Sequence, residues 1–148
     1  MRLLVQRVLE AAVAVDGQRL GRVGQGFVVF IGVTHSDTED QARRLARKLA
    51  ELRVFSDSAG KTNLSILDVQ GSALVVSQFT LYADTRRGRR PSFTDAAAPE
   101  PAQALVETFR QALENEGVPT APGRFGADMQ VTLVNDGPFT LLLETEAH

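Results

Sequence analysis

The residues best suited to chemistry form a short polar run, Ser77-Gln78-Phe79-Thr80, that ends an apolar stretch. Polar side chains in such a place either find partners in the core or line a polar pocket. Thr80 could be a nucleophile, but the run contains no base to activate it. Its backbone N–H groups could instead stabilise an oxyanion, which needs no titratable side chain. Three roles therefore stay open: a satisfied part of the core, a nucleophile or an oxyanion hole.

The side chains that usually support hydrolysis or bind metals are scarce. There are two histidines: His35 follows a predicted strand end, and His148 is the last residue. A Ser-His-Asp triad is therefore not expected. The absence of cysteine excludes thiolate nucleophiles, disulfides and thiolate zinc sites. The acidic residues lack the spacing of a calcium loop or of a catalytic carboxylate pair. The sequence therefore predicts no metal and no cofactor.

A second feature is the break Asp136-Gly137-Pro138 between two apolar extended runs, 131–134 and 139–143. Proline donates no backbone hydrogen bond, and glycine leaves the backbone bare. The two exposed carbonyls could therefore point at a ligand. The alternative is an ordinary hairpin turn, since Asp-Gly and Gly-Pro are common turn dipeptides.

A third feature is a loop at 85–93 that concentrates four arginines around Gly88, with Phe93 just after them. Guanidinium groups pair with phosphates and stack on bases, so the loop suits an RNA end. A solvated surface loop is the alternative. The four candidate RNA contacts are Arg86, Arg87, Arg89 and Arg90.

Composition limits the class of protein. The 148 residues fit one domain, 1–148, and the net charge of -2 argues against binding nucleic acid by bulk positive charge. A second arginine, Arg7, comes too early for a signal peptide, and no apolar run approaches the roughly 18 residues of a membrane span. We therefore expect a cytoplasmic protein without a membrane segment.

The hydrophobic pattern predicts hairpins over 3–33, a helix capped by Asp37 or Thr38, and a long polar loop over 55–64. A central buried strand over 73–82 and a helix from Pro99 to near Gly117 follow, with two closing strands at 128–135 and 139–144. This order predicts an α+β fold. Its sheet is expected to be mixed, mostly antiparallel and partly barrel-like, with two main amphipathic helices.

The chain resembles the D-aminoacyl-tRNA deacylases, called D-Tyr-tRNA deacylases in older usage, from Leu4 to Leu142. The resemblance is carried by two motifs, Ser77-Gln78-Phe79-Thr80-Leu81 and Asn135-Asp136-Gly137-Pro138-Phe139-Thr140. Five further stretches support it in order along the chain. They are Leu4-Val5-Gln6-Arg7-Val8, Phe55-Ser56-Asp57, Gly60-Lys61-Thr62-Asn63-Leu64, Arg89-Arg90-Pro91-Ser92-Phe93 and Gly123-Arg124-Phe125-Gly126-Ala127-Asp128-Met129.

The resemblance implies hydrolysis of the ester that joins a D-amino acid, or glycine, to the 3′ end of tRNA. It implies a homodimer in which a Gly-cisPro pair, Gly137-Pro138, enters the partner's pocket and rejects L-substrates. Arg7 would hold that pair, and Phe125 and Met129 would help to bind substrate. The amides of Phe79 and Thr80, beside Ser77 and Gln78, would stabilise the oxyanion, with help from the RNA's own 2′-hydroxyl.

Two other functions remain open at this point. One is an RNA-binding module that keeps the fold without catalysis, because a fold alone does not guarantee activity. The other is a small-ester hydrolase that uses Ser77 or Thr80, which would need a nearby base.

Overall fold

A computed structural model describes residues 1–145 of the chain. Within these residues, eight strands and two α-helices follow the order β1–β3, α1, β4–β6, α2, β7 and β8, with one 3₁₀ turn at Phe79–Tyr82. The strands are β1 (Arg2–Val15), β2 (Gln18–Val23), β3 (Gly26–Gly32), β4 (Phe55–Ser56), β5 (Thr62–Leu64), β6 (Ser72–Ser77), β7 (Thr120–Pro122) and β8 (Gln130–Glu144). The helices are α1 (Glu39–Glu51) and α2 (Pro99–Asn115).

The long strand β1 organises the main sheet. Antiparallel β8 pairs with one edge of β1, while antiparallel β3 and β2 share the other edge. The sheet continues from β3 to β6 and β7 through parallel pairings. At the far side β2 comes close to β7, since a Cβ added at Gly21 would lie 3.1 Å from the Ala121 Cβ. The predicted mixed, mostly antiparallel and barrel-like sheet is confirmed.

Two buried clusters lie on opposite faces of β3 and β6. The larger cluster packs Leu3, Val5 and Phe27 against both helices, including Leu49 and Phe109. The smaller cluster lies where the second half of β1 and the first half of β8, which are paired antiparallel, fold over the opposite face. β1 can serve both clusters because its pairing with β8 shifts register around Arg7 and Leu9, which moves its inward side chains to the other face.

Both predicted helices form. Thr38 caps α1 through a capping box in which its hydroxyl accepts from the Gln41 N–H and the Gln41 side chain accepts from the Thr38 N–H. α2 begins with proline in its first turn and ends just before Gly117, as expected. Within residues 1–145, no helix is both long and apolar enough to cross a membrane.

The prediction of a strand over 73–82 is wrong beyond Ser77. β6 ends there because its neighbour β3 ends at the same level, with Ile31 paired to Ser77 and Gly32 the last residue of the strand. Without a partner strand the chain turns into the 3₁₀ helix Phe79–Tyr82. The motif residues Phe79 and Thr80 therefore belong to a helical turn and not to a strand end.

The prediction of two closing strands, and the alternative of a hairpin turn at Asp136-Gly137-Pro138, are also wrong. The segment is one strand, β8, and both of its halves pair with β1 in the same antiparallel direction. Thr140 pairs with Gln6 and Asn135 with Val8, so four residues, 136–139, bulge opposite the single residue Arg7. The break is thus a large bulge within a continuous strand.

The predicted loop over 55–64 contains a small hairpin, because β4 and β5 pair at its two ends. Asp57 closes the turn: its Oδ1 accepts hydrogen bonds from the N–H groups of Ala59 and Lys61, each at 2.9 Å. Such side-chain bonds to nearby backbone are typical of turns begun by aspartate. The sequence pattern did not reveal these two short strands.

Candidate active site

A cavity of about 570 Å³ lies at the carboxyl ends of the parallel strands β3 and β6, beside the loop that follows β7. Open α/β sheets commonly bind ligands at this edge. Its walls come from β3 and β6, from the segment 93–106 that includes the start of α2, and from the loop after β7. The lining residues that matter here are Ser77, Gln78, Phe79, Phe93, Phe125 and Met129.

Most of the cavity wall is apolar, and Ser77, Gln78 and Asp128 are the polar side chains that line it. A few polar groups in an apolar pocket are typical of small-molecule sites. Met129 lies close over Gly123, where an added Cβ would come within 2.7 Å of the methionine sulfur. The glycine therefore lets Met129 pack at the cavity wall. Five of the sequence-predicted site residues meet here: Ser77, Gln78, Phe79, Phe125 and Met129.

The 3₁₀ turn at the edge of this cavity has free backbone donors at its start. Within residues 1–145, no oxygen accepts a hydrogen bond from the N–H groups of Phe79 and Thr80, as expected for the first residues of a helix. The Thr80 side chain accepts a hydrogen bond from the Gln78 side-chain amide. The residues that precede and begin this turn therefore offer two neighbouring N–H donors and no basic side chain of their own.

Two phenylalanines lie at the cavity and remain unusually exposed. Phe79 is 58% exposed and Phe93 38%. Their ring centroids lie 5.0 Å apart with the planes at 71°, an edge-to-face pair. Exposed aromatic faces of this kind are suited to stacking on a nucleic-acid base. Phe93 was part of a motif in the sequence, but no site role was predicted for it.

The Gly137-Pro138 peptide bond is cis, and Arg7 lies directly beside it. Arg7 Nε donates to the Asp136 carbonyl at 3.1 Å and lies 3.4 Å from the Asp136 carboxylate. Its Nη1 donates to the Val54 carbonyl, and its guanidinium lies 4.6 Å from the centroid of the Phe139 ring. The Arg7 side chain is thus fixed between backbone carbonyls and an aromatic face.

Asn135 holds the same bulge from the inside. Its Nδ2 donates to the carbonyls of Arg7 and Phe139, both at 2.9 Å, and its Oδ1 accepts from the Phe139 N–H at 3.2 Å. The side chain therefore spans residues 136–138. Asn135 belongs to one of the two sequence motifs, but no role was predicted for it. The available signal was an amide side chain four residues before Phe139, on the other side of the Gly-Pro break.

Gly137 and Pro138 are exposed, and neither they nor Arg7 line the cavity of their own chain. The structure thus divides the sequence-predicted site residues between two places. One is the cavity beside the 3₁₀ turn, and the other is the bulge of β8. A single chain does not bring the two together.

The arginine loop is closed by paired backbone hydrogen bonds between Asp84 and Ser92, at 2.7 and 2.9 Å. Arg86 binds the Asp84 carboxylate through Nε at 2.9 Å and Nη2 at 2.8 Å. These hydrogen bonds lower the pKa of Asp84 to about 2. All four arginines are exposed, and within residues 1–145 Arg87, Arg89 and Arg90 form no ion pair.

The comparisons with known proteins agree with these motifs. The family model described as D-Tyr-tRNA(Tyr) deacylase matches residues 4–144. The chain belongs to this family. D-aminoacyl-tRNA deacylases of Chloroflexus aurantiacus and Lacticaseibacillus casei are 57% and 54% identical to it. The first comparison covers 98% of this chain and 91% of the relative, and the second 99% of each.

Solved structures share the deacylase-family fold. A "c-Myc DNA Unwinding Element Binding Protein" is 39% identical, with a TM-score of 0.93 over 99% of this chain and 100% of that chain. A probable eukaryotic D-amino acid tRNA deacylase is 17% identical, with a TM-score of 0.84 over 96% and 97% of the two chains. The second likeness supports the fold alone. The predictions that the chain is a member of this family and an enzyme of this class are confirmed.

The roles that the family resemblance implies for individual residues of this chain stay predictions. His35 does not line the cavity, and its Nε2 donates a hydrogen bond to the Thr94 carbonyl at 2.6 Å. His148 lies outside the described residues. The expectation of no metal and no cofactor also stays a prediction. Sequence reasoning missed three residues that shape the site: Phe93 at the cavity, Asn135 inside the bulge and Asp84 at the base of the arginine loop.

Proposed function

We propose that the protein, as one domain over 1–148, hydrolyses the ester bond of D-aminoacyl-tRNA and of mischarged glycyl-tRNA, releasing the amino acid and free tRNA. The observation that carries this proposal is the cavity itself. In a chain of the deacylase family, a cavity of about 570 Å³ adjoins a turn whose two leading N–H groups, those of Phe79 and Thr80, have no acceptor within residues 1–145.

These two N–H groups would stabilise the negative charge that develops on the ester carbonyl oxygen. Preorganised backbone donors are effective for this purpose because they need no reorganisation during the reaction. The neighbouring 2′-hydroxyl of the terminal ribose would assist attack by water, so the enzyme needs no side-chain base. Ser77 and Gln78 would complete the polar side of the pocket.

Chiral selection would come from the carbonyls of Gly137 and Pro138. They would hold the α-amino group of the substrate so that an L side chain meets the protein backbone. Selectivity then arises from a clash with the wrong substrate as well as from contacts with the right one. Glycine has no side chain to clash, so glycyl-tRNA would also be accepted.

This arrangement requires a homodimer, because the bulge and the cavity do not meet within one chain. The outer edge of β8 supports the proposal: within residues 1–145, β8 pairs with β1 alone. Val134 and Leu142 on this strand are 44% and 54% exposed. A long strand edge with exposed apolar side chains is suited to association with another chain. A second copy would place Gly137-Pro138 at the partner's cavity.

The tRNA end would be held by the arginine loop and by the Phe79–Phe93 pair. The exposed guanidinium groups of Arg87, Arg89 and Arg90 are available for phosphates, and Arg86 is available in competition with Asp84. Since tRNA charging and translation supply the substrate, the cytoplasm is the proposed location.

The test is hydrolysis of tRNA charged with a D-amino acid, its L enantiomer or glycine, followed by release of the free amino acid. We expect fast release from the D and glycyl esters and slow release from the L ester. A tRNA ending in 2′-deoxyadenosine should be hydrolysed much more slowly if the 2′-hydroxyl takes part. Intact D-aminoacyl-tRNA after incubation would refute the proposal.

The cross-subunit arrangement has its own test. A variant with a damaged bulge is mixed with a variant with a damaged cavity, and the subunits are allowed to exchange. Mixed dimers should recover one working site, so activity should rise above that of either variant alone. No recovery from a mixture that does form mixed dimers would contradict a shared site.

A second candidate is a nucleic-acid-binding protein without catalysis, because the 39% identical protein of known structure is named for binding a DNA unwinding element. This candidate predicts tRNA binding with no release of amino acid. The small-ester hydrolase is a third reading, and it requires activation of Ser77 or Thr80. Inactivation by a serine-reactive phosphonate would support that reading over backbone catalysis.

A further inference from the structure

The 3₁₀ turn Phe79–Tyr82 is held at its far end by a residue from the start of β1. Arg2 Nη1 donates a hydrogen bond to the Leu81 carbonyl at 2.7 Å. The same guanidinium lies 4.5 Å from the centroid of the Tyr82 ring, and its Nε lies 2.8 Å from a Glu144 carboxylate oxygen. One side chain thus contacts the last two residues of the turn.

This contact matters because a single 3₁₀ turn supports itself poorly. Its bonds from Leu81 N–H to Gln78 and from Ala83 N–H to Thr80 are 3.2 and 3.0 Å long. A carbonyl near the end of a helix has no partner within the helix, and a cation is favoured at this end. Arg2 supplies both the donor and the charge.

The underside of the turn is fixed by close packing on Gly32, the last residue of β3. A Cβ added at Gly32 would lie 2.9 Å from the Leu81 Cβ and 3.2 Å from both the Gln78 carbonyl oxygen and Tyr82 Cδ2. This packing limits translation of the turn toward the sheet. Arg2 contacts the turn from a different element, β1. It therefore restrains rotation of the turn, which the packing on Gly32 does not prevent.

The Tyr82 ring, which lies against the Arg2 guanidinium, is uncharged. Burial, and secondarily the nearby Asp37 carboxylate, raises the pKa of Tyr82 to about 12. The ring therefore remains a neutral phenol at physiological pH, and its contact with Arg2 is a cation–π contact and not an ion pair.

We propose that Arg2 is a positioning residue for hydrolysis: it acts through Leu81 and Tyr82 to orient the turn whose first N–H groups, those of Phe79 and Thr80, face the reacting ester. The proposal rests on the function proposed above. Displacement of a catalytic group by about 1 Å can cost up to about 10²-fold in rate. The turn is only four residues long, so a loosened C-terminal end moves the donors at the other end.

The test compares steady-state hydrolysis of D-aminoacyl-tRNA by the full-length wild type and by Arg2→Gln, Arg2→Lys and Glu144→Gln. Arg2→Gln should lower kcat about tenfold, less than deletion of an oxyanion donor, because the donors are displaced and not removed. KM should stay within about twofold, since an interaction used only in the transition state affects kcat. Arg2→Lys should recover part of the rate, because it keeps a cation that can reach the Leu81 carbonyl.

Glu144→Gln separates the two bonds of Arg2. It removes the ion pair and keeps the donor to Leu81, so its kcat should match that of the wild type. Arg22→Gln is the matched control for loss of a surface arginine, because Arg22 pairs with Glu10 at an exposed position on β2. Amide NMR signals of Phe79 and Thr80 should shift in Arg2→Gln and remain in place in Arg22→Gln.

Wild-type kcat in folded Arg2→Gln would overturn the proposal, as would an equal loss in Glu144→Gln, which would assign the effect to the ion pair. If Arg2→Gln does not fold, Arg2→Met decides, because methionine keeps a long unbranched side chain but has neither the donor nor the charge. Wild-type kcat with unmoved Phe79 and Thr80 signals in Arg2→Met would overturn the proposal, and a lowered kcat with unchanged KM would support it. A wild type that does not hydrolyse D-aminoacyl-tRNA would instead refute the proposed function.

Discussion

Asn135 and Phe139 are joined by two hydrogen bonds that close the bulge of β8. The Asn135 amide donates to the Phe139 carbonyl at 2.9 Å, and its oxygen accepts from the Phe139 N–H at 3.2 Å. The Asn135 amide thereby satisfies the backbone N–H and carbonyl of Phe139, as the backbone of a neighbouring strand does elsewhere in the sheet. This relationship makes the shape of the Gly137-Pro138 bulge depend on one side chain.

Asn135→Ala should therefore destabilise the protein and reduce its selectivity. Loss of three hydrogen bonds, each with a net value of about 0.5–1.5 kcal/mol, predicts a fall of about 2–4 kcal/mol in the free energy of unfolding. Urea unfolding measures this change, and rates on D- and L-aminoacyl-tRNA measure selectivity. Asn63→Ala is the control, because within residues 1–145 the Asn63 side chain makes two long, exposed hydrogen bonds at 3.3 and 3.4 Å and no others. Equal behaviour of the two variants would contradict the role of Asn135.

Gly137→Ala should damage the bulge through crowding as well as backbone strain. The residue has a φ of +141°, and an added Cβ would lie 2.9 Å from Phe139 N and 3.3 Å from Arg7 Nη2. Gly60→Ala is the matched control: Gly60 has a φ of +78°, but among residues 1–145 no atom beyond its two chain neighbours lies within 4 Å of its added Cβ. We expect both variants to lose about 1–3 kcal/mol of stability from strain, and only Gly137→Ala to lose D-aminoacyl-tRNA hydrolysis. Full activity in folded Gly137→Ala would exclude the bulge from the site.

Thr80→Ala and Thr80→Pro distinguish the side chain from the backbone. If the hydroxyl only accepts a bond from Gln78, Thr80→Ala should keep kcat within about threefold, whereas removal of a true nucleophile can cost about 10⁶-fold. Thr80→Pro deletes the proposed N–H donor and should lower kcat by about 10²–10³-fold. Thermal unfolding of both variants checks that the fold survives. A dead Thr80→Ala with normal folding and tRNA binding would favour the nucleophile.

Single arginine replacements should affect RNA binding unequally. Each free guanidinium that contacts a phosphate adds about 0.7 to the salt slope for single-stranded RNA. Arg87→Gln, Arg89→Gln and Arg90→Gln should each lower this slope. Arg86→Gln should lower it less, because Arg86 must leave Asp84 before it can bind a phosphate. RNA binding measured from low to moderate salt gives the slopes. Four unchanged slopes would show that these arginines do not contact RNA and that the loop is a solvated surface loop.

The Asp84–Arg86 pair should persist to unusually low pH. The Arg86 hydrogen bonds lower the pKa of Asp84 from 3.8 to about 2. Because the folded-state pKa is the lower one, the contribution of the pair to stability is present above about pH 3.8 and is lost as pH falls toward 2. Carboxyl NMR titration of Asp84 measures this directly. In Arg86→Gln the pKa should return toward its ordinary value, and an unchanged titration would contradict the pairing.

The sequence by itself determined the family, the two helices and the mixed sheet. Its motifs lie in order along the chain, and apolar periodicity and capping residues are local signals that act within a few turns of helix or strand. Thr38 with Gln41, and Pro99 with Gly117, illustrate how such local chemistry fixes helix ends. The absence of cysteine also excludes thiolate nucleophiles, disulfides and thiolate zinc sites.

Tertiary structure alone decided where β6 ends and what the Asp136-Gly137-Pro138 break becomes. β6 stops because β3 gives it no partner beyond Ile31, and β8 continues because β1 pairs with it on both sides of the bulge. Such outcomes depend on neighbours distant in sequence, which no local pattern reports. The same long-range contacts place Arg2 against Leu81, 79 residues away, and Arg7 against Asp136, 129 residues away.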